Sequence, residues 1–132
     1  INHHSNMNPA MTYAMGLGHT PQDGRKLDYH DCHVWLVDEN KNIIDPTPPA
    51  MEGQRHYKAF KYNQQKYFDY FWKRYKALPN RKNYIEELYA HPEDRQCPYN
   101  AIAYWKKHKN CKIVVGSLGF DIGRGRILWE FG

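Results

Sequence analysis

The chain has 132 residues, a formal net charge of +5, 25% charged residues and 41% hydrophobic ones. Those proportions exclude a disordered polar segment and fit one globular domain with a modest core. The 11 Tyr and 4 Trp predict that this core is rich in aromatic rings.

Residues 1–10 are polar, with His3-His4 and three Asn, and read as a loose arm. Residues 11–17 are weakly strand-like, and 19–26, with Pro21, Asp23 and Gly24, read as a wide turn. A β-hairpin follows. Val34 and Leu36 alternate with Trp35 and Val37, the polar run Glu39-Asn40-Lys41-Asn42 suits a turn, and Ile43-Ile44 restarts the apolar pattern until Pro46 and Pro48 end it. His33 stands on the first strand and Asp45 twelve residues later on the second. A turn of odd length puts both on one face of the sheet, whereas an even one separates them.

Residues 46–53 read as a connector stiffened by Pro46, Pro48 and Pro49. From about 62 to 78, Tyr67, Phe68, Phe71, Trp72, Tyr75 and Leu78 recur at helical spacing, which predicts an amphipathic helix with an aromatic core face. Pro79-Asn80 stops it. Asn83 and Glu86 have the spacing of a capping box, and Ile85, Leu88 and Tyr89 predict a short second helix ended near His91-Pro92. A third helix begins around Cys97-Pro98, since proline is tolerated in a first helical turn, with Ala101, Ile102 and Trp105 inward. Residues 111–120 and 126–131 read as strands joined by a Gly123-Arg124-Gly125 turn. Strands, then two or three helices, then strands predict an α+β domain spanning 1–132, with an antiparallel sheet of about five strands.

Three cysteines is an odd and low count, which argues against a disulfide framework and favours a reducing compartment such as the cytoplasm, or a virion. No stretch resembles a signal peptide or a membrane span, although the first residue is Ile1 and a segment removed upstream stays open. Most Lys and Arg fall in 55–82 and 106–112. Two solvated helix faces explain them as well as a nucleic-acid surface does, so nucleic acid is a weak expectation.

Cys97 at a helix start is the residue with chemistry to offer. Free N–H groups and partial positive charge there stabilise a thiolate. His33 is the candidate base and Asp45 its orienting partner, a Cys-His-Asp arrangement defined by roles rather than by chain order. A zinc site from His30, Cys32 and His33 with His3 or His4 is disfavoured, because His33 faces away from the other two and no paired ligand spacing occurs; no metal is expected.

Two segments carry a resemblance. Cys97-Pro98-Tyr99-Asn100-Ala101 followed by Val114-Val115-Gly116, and His33-Val34-Trp35 followed by Asp45-Pro46-Thr47-Pro48, resemble papain-like thiol folds of the transglutaminase-like and NlpC/P60-like kind, notably small phage, viral and bacterial members. These pieces span about a quarter of the chain. The usual order there is Cys, His, Asp; here Cys97 comes last, as in circularly permuted members such as the lecithin:retinol acyltransferase-like proteins. The resemblance implies a permuted papain-like domain in which Cys97, His33 and Asp45 are catalytic and Asn100 supports the Cys loop or the substrate. Tyr29 and Trp35 line or fill the cleft. It implies no cofactor, and a protein, peptide or amide substrate. A second expectation is a non-catalytic binding or structural module, such as a component of a viral particle, that keeps the fold and takes a protein partner.

Overall fold

A computed structural model describes residues 32–49, 51–59 and 61–129. In chain order these form β1 (His33–Val37), β2 (Ile43–Ile44), β3 (Gln54–Lys58), α1 (Lys61–Lys76), α2 (Arg81–Ala90), α3 (Cys97–Lys107), β4 (Lys112–Asp121) and β5 (Ile127–Trp129). The class is α+β, as expected, with three helices on an antiparallel sheet. The first 31 residues, including Tyr29, His30, the arm and the 11–17 strand expectation, lie outside the described residues, as does Glu130.

The sheet runs β2-β1-β4-β3. β4 organises it. Its first half pairs with β1 (His33 opposite Gly116, Val37 opposite Lys112) and its second half with β3 on the other edge (Lys58 opposite Gly116, Gln54 opposite Phe120). The short β5 pairs with residues 119–121, on the edge that β1 leaves open. Paired residues share a face. One face therefore presents Val34, Leu36, Tyr57, Ala59 and Val115, and the other presents His33, Trp35, His56, Val114 and Leu118.

The first face meets the helices. Val34, Leu36, Ala59 and Val115 form one core cluster with Tyr67 of α1 and Ala101 of α3, and Phe68, Phe71 and Trp105 pack against it. A second cluster joins the helices to one another through Tyr75, Ile85, Leu88, Ile102 and Ala103. The aromatic stripe of α1 is thus core packing. Removing such surface from water supplies the main driving force, about 25 cal/mol per Å² of apolar area.

One element is added and one local expectation changes. Gln54–Lys58, beyond the 46–53 connector, is a strand. Its pattern hides it: Gln54, His56 and Lys58 are polar where a half-buried strand ordinarily carries apolar side chains. Asn83 and Glu86 do not cap α2. The helix begins earlier, with Asn80 at the N-cap in left-handed conformation (φ 53°) and without a side-chain cap bond. Asparagine tolerates that conformation, and Tyr84 N–H already donates to the Asn80 carbonyl at 3.0 Å. Glu86 instead meets Lys107 of α3 at 3.2 Å.

Candidate active site

The β1–β2 hairpin sets the first relationship. Leu36 lies opposite Ile44 and Val37 opposite Ile43, so the loop is residues 38–42, an odd number. His33 and Asp45 consequently fall on the same face, and His33 Nε2 lies 2.7 Å from Asp45 Oδ2. Asp38 holds the loop at that length. Its Oδ1 accepts from the backbone N–H of Asn40 (2.8 Å) and Asn42 (2.9 Å), and Lys41 takes a left-handed φ of 67°.

β3 brings a group that sequence reading missed. His56 is fully buried, and its Nε2 also lies 2.7 Å from Asp45 Oδ2. The Gln54 amide nitrogen is 3.1 Å from the same oxygen and 3.1 Å from His56 Nε2. Asp45 Oδ1 accepts from Thr47 N–H at 3.1 Å. Trp35, also fully buried, walls the cluster, with its ring centroid 5.9 Å from His33 in a stacked arrangement and 4.8 Å from His56 edge-on. Of the two roles expected for Trp35, filling is the one seen. The alternation of Gln54, His56 and Lys58 against Arg55 and Tyr57 was the signal for His56, and it carries no apolar period.

Gly116 makes room for this arrangement. It sits between His33 and Lys58 in the pairing, and a Cβ there would collide with the Tyr57 carbonyl and stand 2.7 Å from Trp35 Cη2.

Cys97 is the first residue of α3, and Pro98 occupies the first turn. The first intrahelical bond runs from Asn100 N–H to the Gln96 carbonyl at 2.8 Å, so Cys97 and Tyr99 N–H have no acceptor within the helix. Cys97 is half-buried where α3 meets the start of β1, with Sγ 4.0 Å from the Cys32 carbonyl. It also lies close enough to the His33 imidazole for its charge to help raise the His33 pKa.

The charges are arranged in sequence. Burial pulls the His33 pKa down, but Asp45 and then Cys97 outweigh it, and His33 is held well above the usual imidazole value. Burial pushes Asp45 up, yet the charges and hydrogen bonds of His33 and His56 bring it far below the usual carboxylate range. His56 goes the other way, lowered first by burial.

Asn100 is buried, at 1% exposure. Its Nδ2 donates to Thr47 Oγ1 at 2.9 Å and to the Glu93 carbonyl at 2.7 Å, and its Oδ1 accepts from Glu93 N–H at 3.2 Å. It joins the start of the Cys97 helix to the Asp45 loop. Of the two roles expected for it, support of the Cys loop is the one its contacts fit. The expected catalytic residues Cys97, His33 and Asp45 are therefore neighbours, Asn100 and Trp35 stand behind them, and Tyr29 lies outside the described residues.

Cys32 is on the helix-facing side of β1, opposite in direction to His33, so it does not join the cluster. Among the described residues, the clustered groups able to ligate a metal are instead His33, Asp45 and His56. Two cavities lie elsewhere. One of about 420 Å³ is bounded by Gln64, Phe68, Trp105 and Cys111, and one of about 410 Å³ by Tyr75, Arg81, Lys82 and Lys106. No helix among the described residues is long and apolar enough to cross a membrane.

Compared with protein-family models, with curated proteins and with solved structures, the chain matches none of them.

Proposed function

We propose that this chain is a cysteine-dependent hydrolase or acyl/amide transferase on a permuted papain-like domain, with Cys97 as nucleophile, His33 as general base and acid, and Asp45 as the group that orients the imidazole. The observation that carries this reading is the buried His33–Asp45 pair, Nε2 to Oδ2 at 2.7 Å, beside the helix-start Cys97 whose charge helps raise the His33 pKa.

In this mechanism His33 takes the Cys97 proton. The thiolate sulfur forms a bond to the substrate carbonyl carbon, and the carbonyl electron pair moves to oxygen. Backbone N–H groups at the start of α3 favour the resulting negative charge. When the tetrahedral centre collapses, the bond to the leaving amine or alkoxide breaks and the leaving group takes its proton from His33. The thioester is then attacked by water or a second amine, which gives its proton to His33, and Cys97 is released as a thiol after reprotonation. Asp45 keeps one tautomer and stabilises the imidazolium without itself taking a proton.

The test is site-resolved alkylation. Iodoacetamide is applied across pH, and Cys32, Cys97 and Cys111 are read separately by mass spectrometry. Selective modification of Cys97 with an apparent pKa below the ~8.5 of a free thiol, lost on His33→Ala, supports the reading. An ordinary or inert Cys97 turns it to the binding-module reading.

A further inference from the structure

The carboxylate at the centre of the site is overcommitted. Asp45 Oδ2 faces three nitrogen groups: His33 Nε2 and His56 Nε2 at 2.7 Å each, and the Gln54 amide at 3.1 Å. A carboxylate oxygen has about two lone-pair sites. Thiol chemistry needs only one imidazole on its carboxylate, so the fully buried His56 is surplus to it.

We infer that His33, Asp45 and His56 also bind a divalent transition-metal ion of the class that favours imidazole ligands (Zn²⁺, Co²⁺ or Ni²⁺), and that the bound ion withdraws His33 from Cys97. The three ligand atoms lie within 4.8 Å of one another. His33 and His56 stand on β1 and β3 and Asp45 directly follows β2, so the strand register directs all three to one face. Two neutral imidazoles and one carboxylate carry a net negative charge and suit such a dication.

Bonds of about 2.0–2.2 Å to the ion put tetrahedral ligands about 3.3 Å apart, so each imidazole retreats by roughly half an ångström. A single ion then replaces two N–H donors at Oδ2, leaving that oxygen with the metal and the Gln54 amide. Thr47 N–H continues to hold Oδ1. The fourth coordination position is left for water or another ligand. His33 donates its Nε2 lone pair to the ion, so its Nδ1 carries the remaining proton and no longer accepts one from the thiol. The regulatory half of the inference rests on the proposed thiol chemistry; the metal binding does not.

The experiment titrates Co²⁺ into metal-free protein and follows the visible d–d absorption. Cys97→Ala is expected to bind Co²⁺ as the parent does. His56→Gln, which keeps a polar side chain, is expected to lose affinity by at least the roughly 10–100-fold seen when outer-shell partners are removed. Circular dichroism checks that it is folded. In the parent, Zn²⁺ is expected to slow Cys97 alkylation at least about tenfold, and EDTA to restore it.

A measurement on the unmutated protein accompanies these: imidazole ¹⁵N spectra, in which Zn²⁺ is expected to move the His33 and His56 Nε2 signals. Binding abolished by Cys97→Ala, unchanged affinity in His56→Gln, or unmoved Nε2 signals each overturn the metal site. Unchanged affinity in His56→Gln would assign the ion to another place, such as His3-His4. Binding in Cys97→Ala without slowed alkylation in the parent overturns the regulatory half alone. His33-dependent alkylation without metal binding overturns this inference while the proposed function survives.

Discussion

Asn100, on the helix that begins with Cys97, donates to Thr47 Oγ1 at 2.9 Å, two residues beyond Asp45. This bond and the two between Asn100 and Glu93 tie the Cys97 helix to the Asp45 loop. Asn100→Ala deletes all three and leaves buried groups unpaired, at a cost of about 1–3 kcal/mol. The expected result is an earlier urea midpoint together with slower Cys97 alkylation. An unchanged alkylation rate in a folded variant counts against this coupling.

Replacing His33 and Asp45 separates the roles proposed for them. General acid–base assistance is typically worth about 10²–10⁴-fold. His33→Ala is expected to slow Cys97 modification at neutral pH by roughly 100-fold, and Asp45→Asn to slow it by less. Stopped-time alkylation with mass-spectrometric readout measures both. Equal rates in parent and variants remove His33 and Asp45 from the mechanism.

The hairpin loop makes a geometric prediction. One glycine inserted between Asn40 and Lys41 changes the loop from odd to even and directs Asp45 to the helix side of the sheet. Cys97 reactivity is expected to fall to the Asp45→Asn level while the helical circular dichroism signal stays. Parent-like reactivity would show that the added residue bulges out and leaves the register alone.

Gly116→Ala tests the packing behind the site. The added methyl meets the Tyr57 carbonyl, which belongs to the β3 backbone, and the Trp35 ring, which is fully buried. Overpacking of this kind costs about 1–3 kcal/mol. Thermal unfolding is expected to shift down accordingly, with Trp35 displaced toward His33 and His56.

Cys111 supplies an internal control for pH. Burial pushes its thiol pKa up, and Asp38 and Glu39 push it further in the same direction. Its thiolate therefore forms only at higher pH than that of an ordinary cysteine. At pH 7–8 Cys111 is expected to stay unmodified while Cys97 reacts, and to become reactive only in more alkaline solution. Modification of Cys111 ahead of Cys97 contradicts both the order and the proposed nucleophile.

Much of this architecture was legible in the chain itself. The aromatic spacing of α1, the Cys97-Pro98 helix start, and the β1–β2 hairpin with His33 and Asp45 twelve residues apart are local patterns, set by backbone geometry and by where apolar side chains recur. A strand or helix that buries one side writes that side into its own period. The β3 strand wrote nothing of the kind, because its Gln54 and His56 serve a polar cluster rather than an apolar core. Only the pairing of β3 with β4 brings His56 to Asp45, and only the docking of α3 beside the hairpin brings Asn100 to Thr47. Those contacts join residues that are 11 and 53 positions apart. Their partners are selected by sheet register and helix packing, and neither leaves a trace in the neighbouring residues.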